Sequence, residues 1–285
     1  MPSHIYTRVG YWKHSVDSNI ASVKAAKADK SAGDQLHGQD YMVYAYLQMA
    51  QDKLARAVVD DIAATNVTSN VQAAGFALAA SPARYELERG DWKAAAELQV
   101  RPSPFKHAMA ITHFARAVGA ARAGKPDAAK ADIAKLAELR DQLREAKDAY
   151  WSEQVDIQWQ VANAWVLNAE GKVEEALKVM SAAADAEDKT EKSPVTPGPL
   201  APARELYGEM LLERGMVKEA LAAFEASKAK EPNRFRGYAG AAKAAEKLGD
   251  RAATKANYEK LIKLLGQPQS DRAEVKAAYA FLGKG

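Results

Sequence analysis

The chain of 285 residues has no cysteine, which excludes disulfides, thiolate metal sites and a cysteine nucleophile. An excess of charge of one sign is also missing. Lys and Arg number 40 against 37 Asp and Glu, and a net charge of +3 announces neither a nucleic-acid partner nor a membrane surface. Lysines 24, 27 and 30, and those from 243 to 263, form basic helix faces, but no continuous basic stripe joins them. No run approaches the roughly 18 uncharged apolar residues that a membrane-spanning helix needs. The start, Met1-Pro2-Ser3-His4, lacks a basic-then-apolar signal segment. The β-branched and aromatic runs of strands are absent as well.

Catalytic signatures are missing in the same way. There is no Gly-x-Ser-x-Gly, no glycine-rich phosphate loop and no His-Glu-x-x-His. Ser227-x-x-Lys230 opens like a serine acyl-enzyme motif, but its companion Ser-Asp-Asn and Lys-Thr-Gly elements are not present. His107 and His113 lie on one predicted helix and point about 120° apart, too far round to share an ion. His4 and His14 flank a turn at Gly10 and can approach, yet no carboxylate stands at ligand spacing. His113, beside Arg116, is the histidine closest to a functional setting. No metal, no cofactor and no catalytic residue is expected.

What the chain has in abundance is alanine, about a fifth of all residues. Alanine loses no side-chain entropy on ordering and so favours helix. Apolar residues recur at three and four, as in Leu261, Ile262 and Leu265, and the class expected is all-α. The segment from Ala201 to Arg234 contains Arg204-x2-Tyr207-Gly208-x2-Leu211, then Gly215, then Ala220-x3-Phe224, then Pro232. It resembles the tetratricopeptide (TPR) repeat, two antiparallel helices per unit of about 34 residues. Small residues at Gly208 and Ala220 let the pair approach, Leu211 and Phe224 fill the seam, Gly215 permits the turn and Pro232 starts the next helix. Glycines 10, 90, 124, 171 and 249 mark further turns, and one near residue 51 lacks glycine.

The expected architecture is therefore a right-handed solenoid of six to seven TPR-like helical hairpins over residues 1–285. Residues 270–282 form its capping helix, opened by a capping box at Asp271 and Glu274. Residues 187–202, with four prolines, read as a long exposed loop. Asp29 to Gln39 and Gln99 to Pro104 read as further breaks, and Ser81-Pro82 as a break or kink. Only about seven residues precede the turn at Gly10, so the chain is expected to start inside a hairpin whose upstream repeats lie on the same polypeptide.

The segments MPSHIYTRVGYWKHSVDSN, HGQDYMVYAYLQ, ASPARYELERGDW and AITHFARAVGAARAG also resemble the C-terminal half of large, uncharacterised bacterial TPR-repeat proteins. In those the segment resembling MPSHI is internal. Many carry an export signal far upstream, which implies a periplasmic or exported location here. No activity comes with the resemblance.

In a TPR stack the first helix of each pair lines a concave groove. The register then places His4, Thr7, Arg8, Tyr41, Gln48, Arg84, Glu88, Phe114, Arg122, Gln158, Trp165, Asn168, Glu205, Glu209, Arg236 and Lys243 on that face. Arginine forks suit carboxylates and aromatics supply rigid contact area. The groove is expected to bind an extended peptide or a protein tail bearing carboxylates, without catalysis, as a scaffold does. The alternatives are a solute-binding protein whose pocket is closed by repeat insertions, and an accessory subunit of an enzyme built around His4, His113 and Arg116. The Lys and Asn clamp of chaperone-tail-binding TPR domains is absent: Tyr41, Ala45, Ala80, Arg84, Phe114 and Val118 stand at its positions.

Overall fold

The computed structural model describes residues 2–67, 71–267 and 270–283. The ends of the expected 1–285 unit, Met1 and residues 284–285, lie outside them. Fifteen helices and no strand occur among the described residues. They are α1 (Pro2–Arg8), α2 (Trp12–Ala28), α3 (Ala32–Gln48), α4 (Asp52–Ala64), α5 (Gln72–Arg89), α6 (Trp92–Ala96), α7 (Lys106–Arg122) and α8 (Pro126–Glu145). There follow α9 (Ala149–Ala169), α10 (Val173–Lys189), α11 (Ala203–Glu213), α12 (Val217–Lys230), α13 (Phe235–Lys247), α14 (Arg251–Leu264) and α15 (Ala273–Leu282).

The turns have a shared chemistry. Glycines 10, 90, 124, 171, 215 and 249 each take a left-handed φ between 68° and 83°, a conformation that costs glycine nothing. At Gly215 the turn ends α11 with a bond from the Met216 N–H to the Leu211 carbonyl, 3.0 Å. The turn after α3 does the same without glycine, and Ala50 is held at φ 53°. Where Asp follows the left-handed residue, as at Asp91, Asp148 and Asp250, its carboxylate caps the next helix.

Contacts between helices explain the burial. From α1 to α13 each odd-numbered helix touches the next odd-numbered one, and α13 returns to α3. These helices form a continuous inner layer that closes on itself, and the even-numbered helices pack outside it. The sequence pattern follows: α3, α5 and α7 bury residues on every face, whereas α4 and α8 bury one stripe. The α12–α13 seam shows why small residues recur. A Cβ on Gly240 would overlap the Phe224 ring, and one on Gly208 would come within 2.9 Å of it.

Several expected boundaries differ. The stretch from Asp29 to Gln39 is no break, because α3 starts at Ala32. Its Gly38 lies against Val23 of α2, where a Cβ would come within 2.9 Å. Helix α5 runs through Pro82 without interruption, with Ala79, Ala80 and Ala83 buried in the central core around the lost hydrogen bond. Pro232 sits in a turn, not in a helix, and α13 begins at Phe235. The capping box does not form: Arg272 occupies the cap of α15 and its guanidinium bonds Asp52, Nε to Oδ2 3.0 Å.

The largest correction concerns residues 187–202. The first three residues extend α10, and Ser193, Thr196, Pro197, Gly198, Leu200, Ala201 and Pro202 are buried, so this is not a long exposed loop. It folds back across the body. The Ser193 N–H donates to the Tyr150 hydroxyl (2.8 Å), the Ser193 carbonyl accepts from Arg8, and Lys192 pairs with Glu231 (2.6 Å).

Gly240→Ala is expected to force the Phe224 ring out of its place at a cost of about 1–3 kcal/mol. Gly208→Ala, where the overlap is smaller, should cost less. The measurement is the urea midpoint of each variant, and an order reversed from this would contradict the packing described.

Candidate functional site

The inner layer meets at Arg234, at the start of α13. Its guanidinium is fully buried. Nε and Nη2 grip both oxygens of Glu205 (2.8 and 3.0 Å), Nη1 donates to the Tyr44 hydroxyl (2.7 Å), and Nη2 also bonds Glu88. Burial works against the cation, but Glu205 and Glu88 outweigh it and hold Arg234 protonated well above its ordinary range. Glu88 also accepts from Gln48 (3.1 Å), whose own carbonyl accepts the Phe235 N–H (3.0 Å). The first hairpins meet α13 here and at Trp12, which donates to the Asn233 carbonyl (2.6 Å).

Beside this cluster lies a cleft of about 580 Å³, open on one side. Its inner wall is Arg122, Glu209 and Arg236. Burial pushes the Glu209 carboxyl up, but Arg236 and Arg122 overcome it and hold it at about 2. The Arg122 guanidinium stacks over Trp92 (3.9 Å to the ring centre) and Trp165 (4.1 Å), and also reaches Glu213 (2.7 Å). Lys243 and Lys247, one turn apart on α13, line the outer wall. Both are exposed, and neither has an ion-pair partner among the described residues.

A second pocket lies under residues 190–202, on α9, α10 and α12, with a free volume of about 50 Å³. Glu187 lines it. Burial pushes its carboxyl up to about 8, against the Ala203 N–H that donates to it (2.6 Å).

The residues named for the groove fall into separate places. Arg122 stands in the cleft with Glu88, Glu209, Arg236 and Lys243, as the register placed them, and Trp165 is buried behind it. Gln48 belongs to the Arg234 cluster. Arg84 is fully buried, pairs with Asp40 and lies over the Tyr44 ring, so it does not face an open groove. His4, Arg8 and Tyr41 meet at the first hairpin. His4 stacks on Tyr41 (4.6 Å) and bonds His37 across Nε2 to Nε2, 2.9 Å, and Arg8 holds the Ser193 carbonyl. Burial first, then the neighbouring His37 and Arg8, lowers His4 to about 4. Phe114 is core, and Asn168 accepts from Arg214 (2.8 Å).

His4 therefore pairs with His37 and not with His14, which packs against Tyr6 and Tyr11. His113 pairs with Asp132 (2.6 Å), which also accepts from Arg116 (3.1 Å), and this cluster shares no residue with the His4 cluster. No three His, Asp or Glu side chains gather as a metal site among the described residues. The sequence register missed Arg234, which lies between repeats where no groove position is assigned. It also missed residues 190–202 as part of the interior. The signal for the latter was present: Ser193 to Pro202 contains no charged residue.

Fold and site together define an all-α protein of paired helices that carries an ionic core, an open charged cleft and a second, smaller pocket under residues 190–202. No helix among the described residues is long and apolar enough to cross a membrane. No protein-family model matches this chain, and no curated protein matches its sequence.

Arg234→Met should cost about 3–5 kcal/mol in urea unfolding, because Glu88 and Glu205 stay buried without their cation. Adding Glu88→Gln and Glu205→Gln should recover part of that loss. Glu187 predicts a pH dependence. Its folded carboxyl, near 8, lies above an unfolded value of about 4.3, so the folded chain holds the extra proton between them. The stability it contributes is complete below the unfolded value and is lost as pH rises toward 8, by up to about 1.4 kcal/mol per unit. Glu187→Gln should remove that slope when urea unfolding is compared at several pH values across this window.

Proposed function

We propose that this protein is a TPR-like, non-catalytic binding module, and that its working surface is the cleft between α7, α11 and α13. The ligand is an extended peptide or protein segment bearing carboxylates. The observation that carries this reading is the unpaired lysine couple, Lys243 and Lys247, on the rim of a cleft whose inner arginines are already occupied. Arg122 and Arg236 are neutralised by Glu209 and Glu213, so they stiffen the inner wall and supply little free charge. The lysines supply it, as mobile point charges suited to side-chain or terminal carboxylates. Trp92, stacked under Arg122, adds rigid contact area beside them. The TPR assignment rests on the Ala201–Arg234 pattern and on the hairpin turns that repeat along the chain. A role as a scaffold, with upstream repeats of the same polypeptide and a periplasmic or exported setting, follows from the family resemblance.

The test uses fluorescent peptides of matched length, acidic or neutral, each with a free or amidated C-terminus, titrated against the full chain by anisotropy. Acidic peptides should bind at least tenfold more tightly than neutral ones, and binding should weaken at about 0.3 M salt because the lysines are exposed. Lys243→Glu with Lys247→Glu should abolish the preference and leave the circular dichroism spectrum unchanged. Equal binding of acidic and neutral peptides, or none by either, would sink the proposal.

A further inference from the structure

The pocket beneath residues 190–202 is chemically unlike the cleft. Most charged groups on its wall are engaged within the protein; the exception is Glu191, which is exposed and has no partner among the described residues. Lys192 pairs with Glu231, Arg204 holds Asp188 (2.7 Å) and Asp185, and Lys230 donates to the carbonyl of Asp188 (2.9 Å). Burial pushes the Glu187 carboxyl up, and it accepts from the Ala203 N–H (2.6 Å). The buried atoms that remain unsatisfied carry no charge. The Ser227 hydroxyl, on a residue 1% exposed, has no partner, and neither do the buried Gln154 amide nitrogen and Gln158 amide oxygen. All three residues line this pocket, one on α12 and two on successive turns of α9.

Buried donors and acceptors left unmet cost free energy, and a native protein meets them with water or with a ligand. A donor, an acceptor and a hydroxyl that serves as either ask for a partner that offers both functions. The three unmet atoms carry no charge themselves, so a charged partner bonded to them would gain no counter-ion from them. The remaining wall is aromatic and aliphatic, with Phe76, Ile111, Tyr150 and Trp151, and suits a short carbon backbone. The free volume of about 50 Å³ admits roughly three to five heavy atoms at about 10–15 Å³ each.

We propose that this pocket is a binding site for a small uncharged solute that carries both hydrogen-bond donors and acceptors, a short polyol or a simple amide. Residues 190–202 are its cover. They are held by Arg8 at the Ser193 carbonyl, by the Tyr150 hydroxyl at the Ser193 N–H, and by the Lys192–Glu231 pair. The solute enters when these three ties release. The site shares no lining residue with the lysine cleft and stands whether or not that cleft binds peptides.

The probes are ethylene glycol, acetamide and urea, with acetate and methylammonium as small charged counterparts. Binding to the full chain is read by saturation-transfer NMR, which separates a saturable site from general co-solvent stabilisation. At least one neutral probe should saturate, and the charged pair should give no signal. Ser227→Ala, nearly isosteric, and Gln158→Met should each weaken binding at least tenfold while the thermal unfolding midpoint holds or rises. Urea is read well below denaturing concentrations. A crystal grown with the best neutral probe should show it bonded to Ser227 and to one of the two glutamine amides. The proposal fails if no neutral probe saturates, if the charged probes bind equally well, if both variants bind unchanged, or if the crystal holds only water in the pocket.

Discussion

The buried guanidinium of Arg234 is the constraint from which much of the interior follows. An arginine cannot shed its charge inside a protein, so burying it demands acceptors on several sides at once. Those acceptors come from α3, α5 and α11: Tyr44, Glu88 and Glu205. The two carboxylates exceed the one cation, and the balance is restored next door, where Arg236 and Arg122 flank Glu209. Three arginines and three glutamates thus form one neutral core. It lies where α13 meets the first hairpins, beside the bond from the Phe235 N–H to the Gln48 side-chain carbonyl.

Closure of the inner layer divides what would be one continuous face into unlike regions. On one side the helix ends leave an open cleft with surplus lysine charge. On the other, residues 190–202 cover the space, and the buried charges beneath them are paired. The difference follows from access to water. Exposed Lys243 and Lys247 need no partner because solvent supplies it, whereas Lys192 and Arg204 at the cover must find carboxylates. The remaining arginines of the inner layer are structural for the same reason. Arg84 with Asp40, and Arg122 with Glu209, are pairs formed by burial.

Much of the local structure was legible before any coordinates. Gly208, Leu211, Gly215, Ala220 and Phe224 describe a helix, a turn and a seam within one pair of consecutive helices. The misread segments share a cause. Gly38 looked like part of a linker but permits close approach of α2 and α3, a contact visible only when both helices are placed. Pro82 looked like a break, yet burial of its neighbours maintains the helix. Prolines 194, 197, 199 and 202 looked like an exposed loop, although their segment carries no charge and packs inward. In each instance a residue type with a strong local preference was used for a distant contact.

The candidate site divides along the same line. The resemblance to TPR repeats and the helical period of 3.6 residues together imply that Arg122, Glu209, Arg236 and Lys243 share one face. They cannot say which of those charges is free. Arg122 and Lys243 are equivalent in the register, and only the arrival of Glu209 and Glu213 from α11 neutralises one and leaves the other. Alanine, glycine and helical period were enough for the class of fold. Pairing between residues as distant as Arg234 and Glu88 decided where the inner face closes and which charges remain to meet a partner, since electrostatic satisfaction depends on proximity in space.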